Sequence, residues 1–104
     1  DFYKHFQIIA DILLVIKEKT HADTYTFFAG FDNIEMLEKE MEADIINIRY
    51  CNFETLEKVH KDFLPNCTYQ ELSLPNGWTE EYIDLASHFD MAYSLIVGKR
   101  KTQL

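Results

Sequence analysis

The sequence predicts a small α/β protein, an N-terminal helix followed by three βα units whose strands form a mainly parallel sheet. Three observations point there. Residues 2–19 carry apolar side chains at helical spacing. Three short runs rich in β-branched and aromatic residues (23–30, 44–50 and 68–74) alternate with helix-like stretches. The connections are short, and such alternation favours a parallel sheet with crossover helices.

Element by element, "FYKHFQIIADILLVIKEK" places Phe2, Phe6, Ile9, Leu13 and Ile16 on one face. Ile8, Ile12, Leu14 and Val15 widen that face, so the helix is either sandwiched or docked on another chain. "DTYTFFAG" at 23–30 reads as a strand closing on Gly30. Asp32 with Glu35 resembles a capping box for a helix over 33–42, with Ile34, Leu37 and Met41 on one side. "DIINIRY" at 44–50 is the second predicted strand. Asn52 can cap a helix over 53–63, and "TYQELSL" at 68–74 is the third strand. "LPNG" at 74–77 is a turn, after which Thr79 caps a last helix with Glu80 and Glu81 in its first turn. Residues 1–97 read as a single domain and 98–104 as a basic C-terminal tail.

The chain has 104 residues, 47% of them hydrophobic, with eight Phe and six Tyr, which excludes a disordered acidic tail. Its net charge is −8; leaving out residues 99–104, seven basic residues face eighteen acidic ones. That balance speaks against a phosphate-backbone partner, so no direct nucleic acid is expected, and it favours a basic protein partner or plain solubility. "IIADILLVI" is too short to span a bilayer, which takes about 20 apolar residues. Two cysteines with fifteen residues between them make no disulfide framework, and no secretory signal is visible. A cytoplasmic setting with free thiols is the expectation. The chain opens at Asp1, as a processed or trimmed chain does.

A repeating frame runs through the chain. Ala43, Ile46, Ile48, Cys51 and Phe53 recur 26 residues on as Tyr69, Leu72, Leu74, Gly77 and Thr79, with a fainter copy at Ala22, Tyr25, Phe27, Gly30 and Asp32. Over roughly residues 22–97 the pattern resembles cysteine-containing leucine-rich-repeat units, a short strand leading into a helix. Gly77 stands where that pattern has a cysteine or asparagine, and Gln70 interrupts the leucine run. The resemblance implies a binding scaffold without chemistry of its own and, as the alternative architecture, a short βα solenoid in which "YSLIV" at 93–97 is a further strand.

The stretch "RYCNFETLEKVHKDFLPNC" at 49–67 brings Cys51, His60 and Cys67 close in sequence. On a helical wheel Phe53, Leu56, Val59, Phe63 and Leu64 share an arc that includes His60, so its ring faces the apolar layer. A helix of about 16 Å separates the thiols, and no C-x-x-C or H-x-x-x-H pair exists, so no metal site is expected. No dinucleotide, phosphate-loop or nucleophile-elbow motif occurs either, and neither a cofactor nor a catalytic residue is assigned.

The function expected on these grounds is a non-enzymatic protein–protein interaction module, such as an inhibitor or immunity-type protein or an accessory subunit. Its candidate contact residues are Glu35, Glu38, Glu42, Tyr50, Tyr69 and Trp78. Two alternatives stand beside it. One is a small enzyme or ligand-binding domain using Gly30, Asp32, Cys51, Asn52, Asn76 and Trp78 at the sheet's C-terminal edge. The other is a homo-oligomer assembled through helix 2–19.

Overall fold

In the computed structural model, which describes residues 2–20 and 33–103, every regular element is a helix. The order is α1 (Tyr3–Glu18), α2 (Ile34–Arg49), α3 (Phe53–Asp62), α4 (Thr68–Ser73) and α5 (Thr79–Gln103). There is no strand among the described residues, so the expected α/β fold with a parallel sheet is incorrect, and the leucine-rich-repeat-like solenoid falls with it. The predicted strand 23–30 lies outside the described residues.

Each of the other predicted strands is helical for a reason visible in its burial. The run 44–50 continues α2: Leu37, Met41, Asp44 and Ile48 are buried at a spacing of three to four residues. Ile48 is 0% exposed and Ile46 57%. Two residues apart, they would share a face in a strand, whereas a helix sets them on opposite sides. The run 68–74 forms α4, with Tyr69, Leu72 and Ser73 buried. "YSLIV" at 93–97 lies inside α5, where Phe89, Ala92 and Ile96 keep the helical period. Residues 98–103 prolong the same helix.

Helix ends follow local chemistry. Asn33, not Asp32, caps α2, its side chain accepting from the Met36 N–H at 3.0 Å. Asn52 caps α3 as expected, accepting from the Thr55 N–H at 2.9 Å. Cys51 turns the chain between the two helices with φ at 60°, and Gly77, with φ at 81°, does the same before α5.

The breadth of the apolar face of α1 is explained by two neighbours. Arg49 of α2 reaches Gln7 at 2.9 Å and Asp11 at 3.1 Å, while Lys17 pairs with Glu42 at 3.5 Å. On the other flank Lys19 pairs with Glu81 of α5. These cross-links run α1 antiparallel to both helices. Phe6, Ile9, Ala10, Ile12, Leu13 and Ile16 are buried in the resulting sandwich.

A column of rings closes the core at α3. Phe63 stacks on Phe89 at 4.2 Å and packs against Tyr69 at 4.9 Å. His60 lies flat on Tyr93, 4.0 Å between ring centres.

Candidate interaction surface

On α2, Glu35, Lys39, Glu42, Ile46 and Tyr50 follow one another at spacings of three or four residues, a single stripe along the helix. Glu35, Glu42, Ile46 and Tyr50 are all exposed, Tyr50 by 83%. The stripe is set by its opposite face, where Leu37, Met41, Asp44 and Ile48 bury against the rest of the protein. Beside it a shallow depression of about 290 Å³ lies between α1 and α2, lined by Leu14, Lys17, Glu42, Ile45 and Ile46. Its floor is apolar and its rim is the Lys17–Glu42 pair.

Of the six residues the sequence singles out, Glu35, Glu42 and Tyr50 therefore share one face, with Glu38 half-buried at its border. Tyr69 and Trp78 are not on it. Tyr69 is 1% exposed and packs on Phe63, and its phenol is held protonated well above the usual range by burial and by the nearby charges of Asp62, Asp44 and Glu40. Trp78 is buried beside Tyr82, with the Lys19 ammonium 5.7 Å from its ring centre. Sequence reasoning misses Leu14 and Ile46. The signal that would have found Ile46 is the unbroken helical period from Leu37 to Ile48, which turns Ile46 outward.

The proposed sheet-edge site has no sheet to form it among the described residues. Gly30 and Asp32 lie outside those residues. Asn52 is occupied as a cap, Asn76 donates to the Leu72 carbonyl at 2.8 Å, and Trp78 is buried. Burial pushes the Cys51 thiol up, away from the thiolate a nucleophile requires. Both cysteines are free. No group of three or more metal-ligating side chains is gathered among the described residues.

A cluster of charge, partly enclosed, lies between α2 and α3. Lys58 of α3 meets Glu40 at 2.7 Å, Asp44 at 2.8 Å and Asp62 at 3.6 Å. Thr68 Oγ1 donates to Asp62 at 2.9 Å. Burial alone would lower the Lys58 ammonium, but its hydrogen bonds to Asp44 and Glu40 outweigh that and raise it above free lysine. Burial raises the Asp44 and Asp62 carboxyls against the pull of Lys58. One cation knotted among three acids on α2 and α3 ties helices together.

No described helix is long and apolar enough to cross a membrane. The chain matches no protein-family model, no characterised protein and no solved structure.

Proposed function

We propose that this chain is a non-enzymatic protein–protein interaction module that offers the exposed stripe of α2 to a basic protein. The observation that carries the reading is the mixture on that stripe. Ile46 and Tyr50 supply uncovered apolar and aromatic area next to the Leu14 depression, along a stripe of mixed charge in which Glu35 stands beside Lys39 and Glu42 is shared with Lys17. Interfaces draw affinity from such anchors and draw orientation and encounter rate from complementary charge. The net charge of −8 steers the same class of partner from a distance. An inhibitor that caps a basic protein, or an acidic accessory subunit, would use a surface of this kind.

The test is capture from native lysate at low and at high salt, with the wild-type chain and with Ile46→Glu/Tyr50→Ala side by side. A basic protein held by the wild type at low salt, released by high salt and lost with the double substitution supports the reading. A partner retained equally by both proteins would place binding on another surface, and no retained partner at either salt would sink the reading.

A further inference from the structure

The junction between α4 and α5 rests on two neighbouring residues that the fold requires for separate reasons. Asn76 follows α4 and donates its side-chain amide to the Leu72 carbonyl at 2.8 Å. That carbonyl lies in the last turn of α4, where helix carbonyls lack partners within the helix, so an amide donor suits the position. Gly77 comes next with φ at 81°, a left-handed conformation that residues with a side chain rarely take. Trp78 then anchors the chain in the core just ahead of α5, its N–H bonded to the Ser73 carbonyl at 3.2 Å.

An asparagine joined to a glycine is also a reactive pair. Without a Cβ beside it, the glycine nitrogen can approach the asparagine side-chain carbonyl and close a succinimide ring. Gly77 is exposed, and its surroundings are open, since a Cβ built there would meet nothing within 4 Å. Its N–H reaches the Leu74 carbonyl at 3.5 Å, a long and weak hydrogen bond. The other four asparagines precede Ile34, Ile48, Phe53 and Cys67, whose side chains crowd the same approach.

We infer that Asn76–Gly77 is a site of self-modification, at which the folded chain converts Asn76 to aspartate and isoaspartate without an enzyme and so loosens the α4–α5 junction. The Gly77 nitrogen gives up its proton to a solvent base and bonds to the side-chain carbonyl carbon of Asn76. The bond from that carbon to Nδ2 breaks, and the amide nitrogen takes up a proton and leaves as ammonia. Water then opens the succinimide at either carbonyl. One opening gives aspartate, and the other gives isoaspartate, whose backbone runs through the former side chain and is longer by a methylene.

Neither product can serve the junction as asparagine does. A carboxylate accepts hydrogen bonds and donates none, so an aspartate here would turn an oxygen toward the Leu72 carbonyl oxygen in place of the present amide donor. The longer isoaspartate backbone shifts Gly77 and Trp78 against Leu74 and Ser73, the carbonyls their N–H groups now meet.

Peptide mapping by mass spectrometry, during incubation of the folded chain at neutral pH, follows amide-to-acid conversion at all five asparagines. Asn76 is expected to lead every other site by roughly tenfold or more, because no Cβ hinders its neighbour's nitrogen. Its rate should fall roughly tenfold to a hundredfold below that in the urea-unfolded chain, because hydrogen bonds must open first. Both aspartate and isoaspartate should form, and Asn76→Gln should remove the reaction. Asn76→Asp, which installs one product directly, should shift the urea unfolding equilibrium toward the unfolded chain by roughly tenfold or more. Conversion at Asn76 no faster than at Asn33, Asn47, Asn52 or Asn66, a single product, or an Asn76→Asp chain as stable as wild type would each overturn the inference.

Discussion

The Lys58 ammonium lies 2.8 Å from the carboxylate of Asp44, a side chain of α2 so enclosed that the residue is only 4% exposed. α3 is thereby fastened to α2 by a cation whose partner has almost no access to water. Removing that cation strands the acid, and an uncompensated buried charge costs more than the pair itself contributes. The Lys58 side chain keeps 42% of its surface exposed, so solvent reduces the effect. Lys58→Met is expected to lower unfolding stability by about 1–3 kcal/mol. Adding Asp44→Asn should recover part of the loss. Urea unfolding of the single and double variants measures both.

A second expectation concerns alkali. Burial, reinforced by Asp90 and Cys67, pushes the Tyr82 phenol up to about 12, and the Tyr69 phenol and the Lys58 ammonium are raised too. All three hold their protons more tightly folded than unfolded. The stability they supply is complete below the unfolded values, near 10 for tyrosine, and is lost as pH rises through the folded ones. Stability should be level between about pH 7 and 9 and should then fall, by up to about 1.4 kcal/mol per pH unit for each group. Tyrosinate absorbance would rise together with unfolding. Tyr82→Phe should make the decline shallower, and an unchanged slope would contradict this account.

Ile46 and Ile48 give the most direct check on the helical register. Ile48→Ala empties a fully buried site and should cost about 2–5 kcal/mol. Ile46→Ala trims a side chain that stands in water and should stay within about 0.5 kcal/mol of wild type. Equal losses would mean that both residues are buried, as a strand would have them. Chemical denaturation of the two variants decides it.

At Gly98 the helix is free to accept a side chain. Gly98→Ala should stabilise the folded monomer by roughly 0.5–1 kcal/mol, because a Cβ there meets nothing and alanine suits a helix interior. Thermal unfolding of the two proteins reads this effect.

Much of the helical part of the fold is legible in the sequence. The period from Phe2 to Ile16, the Asn52 cap and the apolar arc that takes in His60 all correspond to what α1 and α3 contain. The errors come from β-branched and aromatic clusters. Ile45, Ile46 and Ile48 have the composition of a strand, yet nothing between Ile34 and Arg49 breaks a helix, and packing of Leu37, Met41 and Ile48 overrides weak propensity. The short run around Tyr69 is ambiguous in the same way, since six residues fit one strand or fewer than two helical turns equally well. The candidate surface inherits these outcomes. Glu35, Glu42 and Tyr50 are exposed, the first two as charged side chains and Tyr50 at the end of α2. Tyr69 and Trp78, aromatic like Tyr50, are large rings that fill the core of a helical fold instead of standing at its surface.

The antiparallel contact between α1 and α5 also bears on how the protein is made. Sixty residues lie between Glu18 and Thr79, so a ribosome adding about 5–20 residues per second leaves α1 without its second wall for roughly 3–12 seconds. During that interval Phe6, Ile9, Leu13 and Ile16 can be only partly covered. α1 is thus synthesised well before it is fully enclosed. A nascent chain of this protein is thus a natural client for whatever holds apolar segments at the exit tunnel, up to the moment α5 emerges.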